Sequence, residues 1–284
     1  MNTLLFSIYY PHSKKSLIVA KCIKPLLKGV NYNKLNYFLS RYKGENVTIQ
    51  LECDKVARTV EWIERCSGSF FKNHKAEQDD VGLPIRQLFL DFPFNTCHIW
   101  KHNPFRIGLQ TKDGTAISEY QSVLSRRCLE ILALEKDWDA TASFQLFIEL
   151  LFVIRAYLEV RRTVGPSQIL ARFQDELYKK LQDKGEVFKK YKKEGGEIFI
   201  KNGSAIVNYY RQIKMEIENS EKRENWVEAW LKILKIKLDG LKAHDYRGIR
   251  KAVRELILDT GQKIDLNPQG LVQALSVTLK LSEI

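Results

Sequence analysis

Along the first half of the chain, apolar residues recur at two different periods, and the change between them divides the sequence. Thr3–Tyr10 is a run of Leu, Phe, Ile and Tyr that reads as a strand. Asn46–Leu51 alternates Val47, Ile49 and Leu51 with Asn46, Thr48 and Gln50, the period of a strand with one face in a core. Between these two, Pro11-His12-Ser13 turns into a helix predicted from near Lys14 to Gly29, with Pro25 expected to shorten or kink its last turn. Tyr37–Tyr42 reads as a further strand ahead of the Lys43-Gly44-Glu45 turn, which makes a β-α-β-β opening. A helix over Lys55–Cys66 follows, with Val56, Val60 and Ile63 on one face. Phe70–Asp91 has no clear period, and Asn103–Gln110 reads as a short strand entering the Asp113-Gly114 turn.

Beyond that turn the period becomes helical. Ile117, Tyr120, Leu124, Cys128 and Ile131 form one stripe; Ile169, Phe173, Leu177 and Leu181 a second; Ile206, Tyr210, Ile213 and Ile217 a third. Trp226–Leu241 carries Val227, Leu231, Leu234, Leu238 and Leu241 at steps of four and three, the seam of a helix lying along a partner. Asn267-Pro268 is a helix start signal, Asn as cap and Pro in the first turn, and Leu271, Leu275 and Leu279 share a face after it. The pattern predicts an α+β protein: an N-terminal mixed sheet with a mainly helical C-terminal half packed on it. A single unit over 1–284 is expected, sheet-rich over 1–112 and helical over 113–284.

Composition narrows the function classes. The 284 residues are 44% hydrophobic and 28% charged, as in an ordinary globular chain. Neither a signal peptide nor an apolar run of the roughly 20 residues needed to span a bilayer is evident, so a cytoplasmic location without membrane partners is expected. Five cysteines, without any C-x-x-C, suggest reduced buried thiols. No dinucleotide, phosphate-loop, zincin or serine-hydrolase motif occurs, and no cofactor is expected. Cys97, His98 and His102 have ligand chemistry, but nothing supplies a further ligand, so no metal site is assigned. The net charge of +12 suits nucleic acid, anionic lipid or an acidic peptide alike. Its densest run, Lys189–Lys193, reads as a solvated turn flank, and the positive residues are dispersed and neighboured by Glu and Asp. Direct nucleic-acid binding by a basic, non-catalytic module is therefore the alternative reading, ranked second.

Several segments, taken in order, carry a resemblance. The N-terminal strand, the helix ending Lys24-Pro25-Leu26-Leu27, and Tyr37–Leu51 are similar to the opening of the thiopeptide-type bacteriocin biosynthesis domain. The same domain forms the C-terminal, glutamate-eliminating part of class I lantibiotic dehydratases. That family typically reads F-F-I-R-Y, a short turn, then H-L-R-L-R-F. Phe105-Arg106-Ile107-Gly108 resembles its R-Y-G-G. Ile117-Ser118-Glu119-Tyr120, with Ser125 beyond, resembles the acidic start of its next helix. Leu275–Lys280 resembles the terminal helix that carries H-M-x-x-N-R in the family.

The resemblance implies maturation of a ribosomally synthesised peptide of lanthipeptide or thiopeptide type. The expected partners are a precursor peptide, with an acidic leader or a glutamylated intermediate, and a separate glutamylating dehydratase subunit. Departures from the family pattern bear on the reaction. Asn46, Thr48 and Gln50 stand where the family places His and two Arg on the exposed strand face, and Ser276 stands at the terminal His. Elimination of glutamate needs a base for the α-proton and cations for the developing charge. Of the matching positions, Arg41-Tyr42 and Arg106 remain. Arg106 is the catalytic candidate; Arg41, Tyr42, Asn46, Thr48, Gln50 and Ser276 are the peptide-binding candidates. Two readings of the chemistry stay open: glutamate elimination, or a non-eliminating relative that scaffolds a peptide or joins two dehydroalanines by cycloaddition.

Overall fold

The computed structural model describes residues 2–77, 92–101, 117–134, 139–163, 165–180, 185–219, 224–265 and 268–283. Strands β1 (Asn2–Tyr9), β2 (Lys34–Ser40), β3 (Asn46–Cys53) and β4 (Thr96–Trp100) form one sheet in the order β2-β3-β1-β4. The class is α+β. The sheet, expected to be mixed, is antiparallel at every pairing of its described strands. A helical segment, α1 (residues 15–28), joins β1 to β2, and α2 (Val56–Asn73) joins β3 to β4. This is the split β-α-β-β-α-β arrangement, in which the middle strand of each β-α-β unit is contributed by the other.

Helix α1 runs through an α-turn (Lys15–Ile18), a π-turn (Val19–Ile23) and a second α-stretch (Lys24–Lys28). Pro25 was expected to shorten or kink the last turn; it has no N–H for the preceding turn, and the helix widens into the π-turn just before it and continues to Lys28. Helix α2 runs past the expected end at Cys66, because Thr59, Ile63, Ser67 and Phe70 form one buried stripe that crosses the polar Ser67-Gly68 pair. Both helices lie on the apolar sheet face: Ser67 of α2 lies beside Cys97 of β4, and Cys22 of α1 lies near Cys97 and Cys66.

Helix α3 (Glu119–Leu134) runs along β2, the edge strand. Its Ser122 and Ser125 hydroxyls, one turn apart, accept the outward N–H groups of Leu35 and Tyr37 at 3.2 and 3.3 Å. An edge that is otherwise open to pairing is thereby closed by side chains.

The chain forms two compact units. The first is 1–138 together with the returning segment 259–265, and the second is 139–258 with 266–284. The second unit contains α4 (Ala140–Val160), α5 (Pro166–Lys180), α6 (Gly185–Glu218), α7 (Asn225–Lys237) and most of α8 (Tyr246–Ile264), then α9 (Pro268–Lys280). Asp139 caps α4 by accepting from the N–H of Ala142. The Asn267 cap expected for α9 lies outside the described residues.

Helix α9 is buried at every position from Gly270 to Thr278 and packs on α4, α5 and α6. It is therefore a central helix, where a one-faced one was expected. Its approach to α6 depends on Gly195: a Cβ there would sit 2.7 Å from the Gln273 carbonyl and 2.8 Å from Ser276 Cβ. Thr141–Val160 is long and apolar enough to cross a membrane, yet 61% of that stretch is buried inside the protein, as in a core helix. The Lys189–Lys193 run sits within α6, not at a turn, with Lys189, Lys190 and Lys193 near Glu186, Glu194 and Glu197.

Candidate functional site

Antiparallel register places Asn46, Thr48 and Gln50 of β3 beside Tyr9, Ser7 and Leu5 of β1, and beside Ser40, Phe38 and Asn36 of β2. His98 and Trp100 of β4 lie beyond Ser7 and Leu5 on the same face. The polar face of β3 is not exposed as the resemblance implied. Asn46 and Thr48 are wholly buried and Gln50 is 3% exposed, so the strand is covered on both sides.

A buried polar row must satisfy itself. Trp100 Nε1–H donates to Ser7 Oγ at 2.8 Å, Ser7 and Thr48 share a 2.8 Å hydrogen bond, and Thr48 Oγ1 donates to Asn46 Oδ1 at 2.7 Å. Thr48 has one hydroxyl hydrogen and gives it to Asn46, so Ser7 is the donor to Thr48. Asn46 Nδ2 then donates to the carbonyls of Tyr42 and Gly44 at 3.0 and 2.9 Å. The row is a one-way chain from Trp100 to the turn between β2 and β3, where Lys43 and Gly44 adopt positive φ. Asn46 and Thr48 hold that turn, and with it Arg41 and Tyr42, in place.

An aromatic group lies at the end of the row. His98 stacks on Phe92 with centroids 4.8 Å apart and meets Trp100 at 4.3 Å, and Tyr42 reaches Trp100 at 5.9 Å. The Lys43 ammonium stands 5.3 Å from the Phe92 ring. Tyr42 is 42% exposed, so the group has an open rim. Arg41 points to solvent and lies 3.9 Å from both Glu45 and Asp265. Further along the same face of β3, Glu52 pairs with Lys34 and accepts the N–H of Ile117 at 2.8 Å.

Behind the edge strand lies a second buried polar cluster. The Lys263 amine, brought by the returning segment, donates to Asn36 Oδ1 at 2.7 Å and to the Tyr37 carbonyl at 2.6 Å; the Tyr37 hydroxyl donates to the Lys263 carbonyl. Burial brings the Lys263 pKa down to about 8. Burial also pushes the neighbouring Cys128 thiol up to about 12 and holds the Tyr37 phenol well above its ordinary range.

Arg41, Tyr42, Asn46, Thr48 and Gln50 are thus brought together in the first unit. Ser276 lies in the second unit, on α9, where it donates to the Val272 carbonyl and accepts from Gln174 Nε2. Arg106 and His102 lie outside the described residues. Cys97 and His98 are adjacent in β4 and point to opposite faces, and among the described residues no group of three metal-ligating side chains occurs. Ser7, Trp100, Asn36 and Lys263 were not legible as site residues. For Lys263 a signal existed: it continues the Ile249, Val253, Leu256, Thr260 stripe and so falls on a buried face.

Searches of family models and of curated proteins give no match. Among solved structures, the pyridine synthase TbtD from thiomuracin biosynthesis superposes with a TM-score of 0.76 at 12% identity, covering 100% of this chain and 99% of that one. This chain has the fold of that pyridine synthase. TsrL superposes with a TM-score of 0.64 at 12% identity, over 99% of this chain and 94% of its own. The pyridine-synthase fold extends from end to end and includes both units.

Proposed function

We propose that this protein matures a ribosomally synthesised peptide by joining dehydroamino acids, and that it does not eliminate glutamate. The observation that carries the reading is the neutral, buried row along β3, hydrogen-bonded from Trp100 through Ser7 and Thr48 to Asn46, in a chain whose whole length follows the fold of a pyridine synthase. Elimination needs a proton acceptor and cations beside the leaving carboxylate, and Asn46, Thr48 and Gln50 bring no charge to the positions where the family carries them. Cycloaddition of two dehydroalanines develops little charge, and its barrier falls chiefly through positioning. A turn held rigid by the buried row and a half-open aromatic rim suit that task better than a cationic pocket does.

In this reading Arg41 and Tyr42 engage the peptide at the rim, Gln50 contributes from the buried row, and Ser276 shapes the central helix. Arg106 remains the catalytic candidate for polarising a carbonyl. A separate glutamylating dehydratase supplies the dehydrated precursor in the cytoplasm. The test is incubation with a precursor peptide bearing two dehydroalanines, followed by mass spectrometry and proteolytic mapping. A cyclic product of unchanged mass, or one lighter by water or by a released segment, is expected. Free glutamate from a glutamylated peptide, with no change in the dehydroalanine peptide, would refute the proposal.

A further inference from the structure

In the first unit, on the side of α1 and α3, a cavity of about 300 Å³ opens beside the turn that leads into β2. Its floor is apolar, made by Leu27 of α1, Leu35 of β2 and Leu129 of α3. Lys24 and Lys28, four residues apart on α1, stand on one side of its rim, and Arg126 of α3 stands on the other. The Arg126 guanidinium lies 5.4 Å from the Tyr32 ring and donates to the Asn33 carbonyl, which holds it over the cavity. Among the described residues, neither Lys24 nor Lys28 has an acidic partner within ion-pair distance. The rim acid, Glu130, is engaged with Arg127.

A hydrophobic floor ringed by three cations fits a ligand with an apolar anchor flanked by carboxylates. We infer that this cavity docks an acidic, amphipathic peptide segment, one Leu- or Phe-sized side chain filling the Leu27–Leu35–Leu129 floor and adjacent Glu or Asp residues meeting Lys24, Lys28 and Arg126. Nucleic acid would use the cations and leave the floor empty. The inference rests on the reading of the chain as a peptide-maturation protein and assigns the part of the substrate held away from the reacting residues. Charge complementarity of this kind sets encounter rate and register, and fixes which precursor is accepted.

The experiment uses the full chain and a fluorescein-labelled synthetic peptide of Glu and Asp interspersed with Leu and Phe, read by anisotropy. The exposed pair Lys28→Glu with Arg126→Glu should weaken binding by about tenfold or more, and Leu27→Asp should do the same with the rim charges intact. Unchanged thermal melts establish that these variants are folded. Equal binding by wild type and the double variant, or an oligonucleotide of equal charge binding as tightly as the peptide, overturns the inference.

The two proposals are separated by a dehydroalanine substrate made with and without an acidic flank. A flank that lowers KM in the wild type alone supports the docking site. Conversion indifferent to flank and variant sinks the docking site and leaves the function standing. No conversion, with flank-dependent binding intact, does the reverse.

Discussion

Lys263 is a basic side chain in a wholly buried position, among Asn36, the Tyr37 carbonyl, Cys128 and Asp259, and its protonation has a calculable consequence. In the unfolded chain the amine titrates near 10.5, and in the fold near 8. Between those values the unfolded state holds a proton that the native state has released, so stability rises with pH across that window. Cys22 and Cys128 act in the opposite sense: burial lifts both thiols from 9.0 to about 12, so above pH 9 the unfolded state ionises first and stability falls. The sum is an expected stability maximum between pH 8 and 9. Lys263→Met removes the rising limb. It should also cost about 1–3 kcal/mol at pH 9, where the neutral amine still donates to Asn36 and to the Tyr37 carbonyl. Urea denaturation of both proteins from pH 6 to pH 10 checks this, and parallel pH profiles would show that Lys263 does not titrate in the window.

Strand β3 owes its role to which neighbours its register selects. A one-residue slip would put Val47, Ile49 and Leu51 against Ser7 and Trp100, so the hydrogen-bonded row also fixes the register. Thr48→Val keeps volume and strand propensity but breaks the chain at its centre, leaving Ser7 without its acceptor and Asn46 Oδ1 without its donor. A loss of about 1–3 kcal/mol is expected. The β2–β3 turn should loosen first, seen as faster amide exchange at Tyr10, whose N–H is bonded to the Glu45 carbonyl. The alternation of residues 46–51 made β3 legible in sequence, because period 2 depends only on local order. That its polar side is buried was not legible, since a neutral amide or hydroxyl reads the same whether its hydrogen-bond partner is water or Ser7. Helix α2 shows the same limit from the other side: Ser67 and Gly68 ended the apparent stripe, while in the structure Ser67 satisfies itself on the Ile63 carbonyl and lets the helix continue to Phe70.

The whole chain is interleaved, and that decides how it folds. The first unit is finished by residues 259–265, which arrive only after most of the second has been traversed. Those residues supply Lys263 to Asn36 and Tyr37, Asp259 to the Tyr120 hydroxyl at 3.0 Å, and Asp265 to the buried Lys15 at 3.3 Å. Without them several buried groups lose partners at about 1–3 kcal/mol each, together comparable with the roughly 5–15 kcal/mol that stabilises an ordinary domain. A fragment ending at residue 134 should therefore fail to fold alone, although it contains every described strand, all of α1 to α3 and the cavity lined by Leu27, Leu35 and Leu129. Co-expression with a fragment of residues 139–284 should restore a soluble, cooperatively melting complex, because the returning segment is then supplied in trans. Circular dichroism melts of the short fragment alone and of the co-purified pair measure this directly. A sharp native-like transition in the isolated fragment would mean that the sheet is self-sufficient and that Lys263, Asp259 and Asp265 contribute little to holding it.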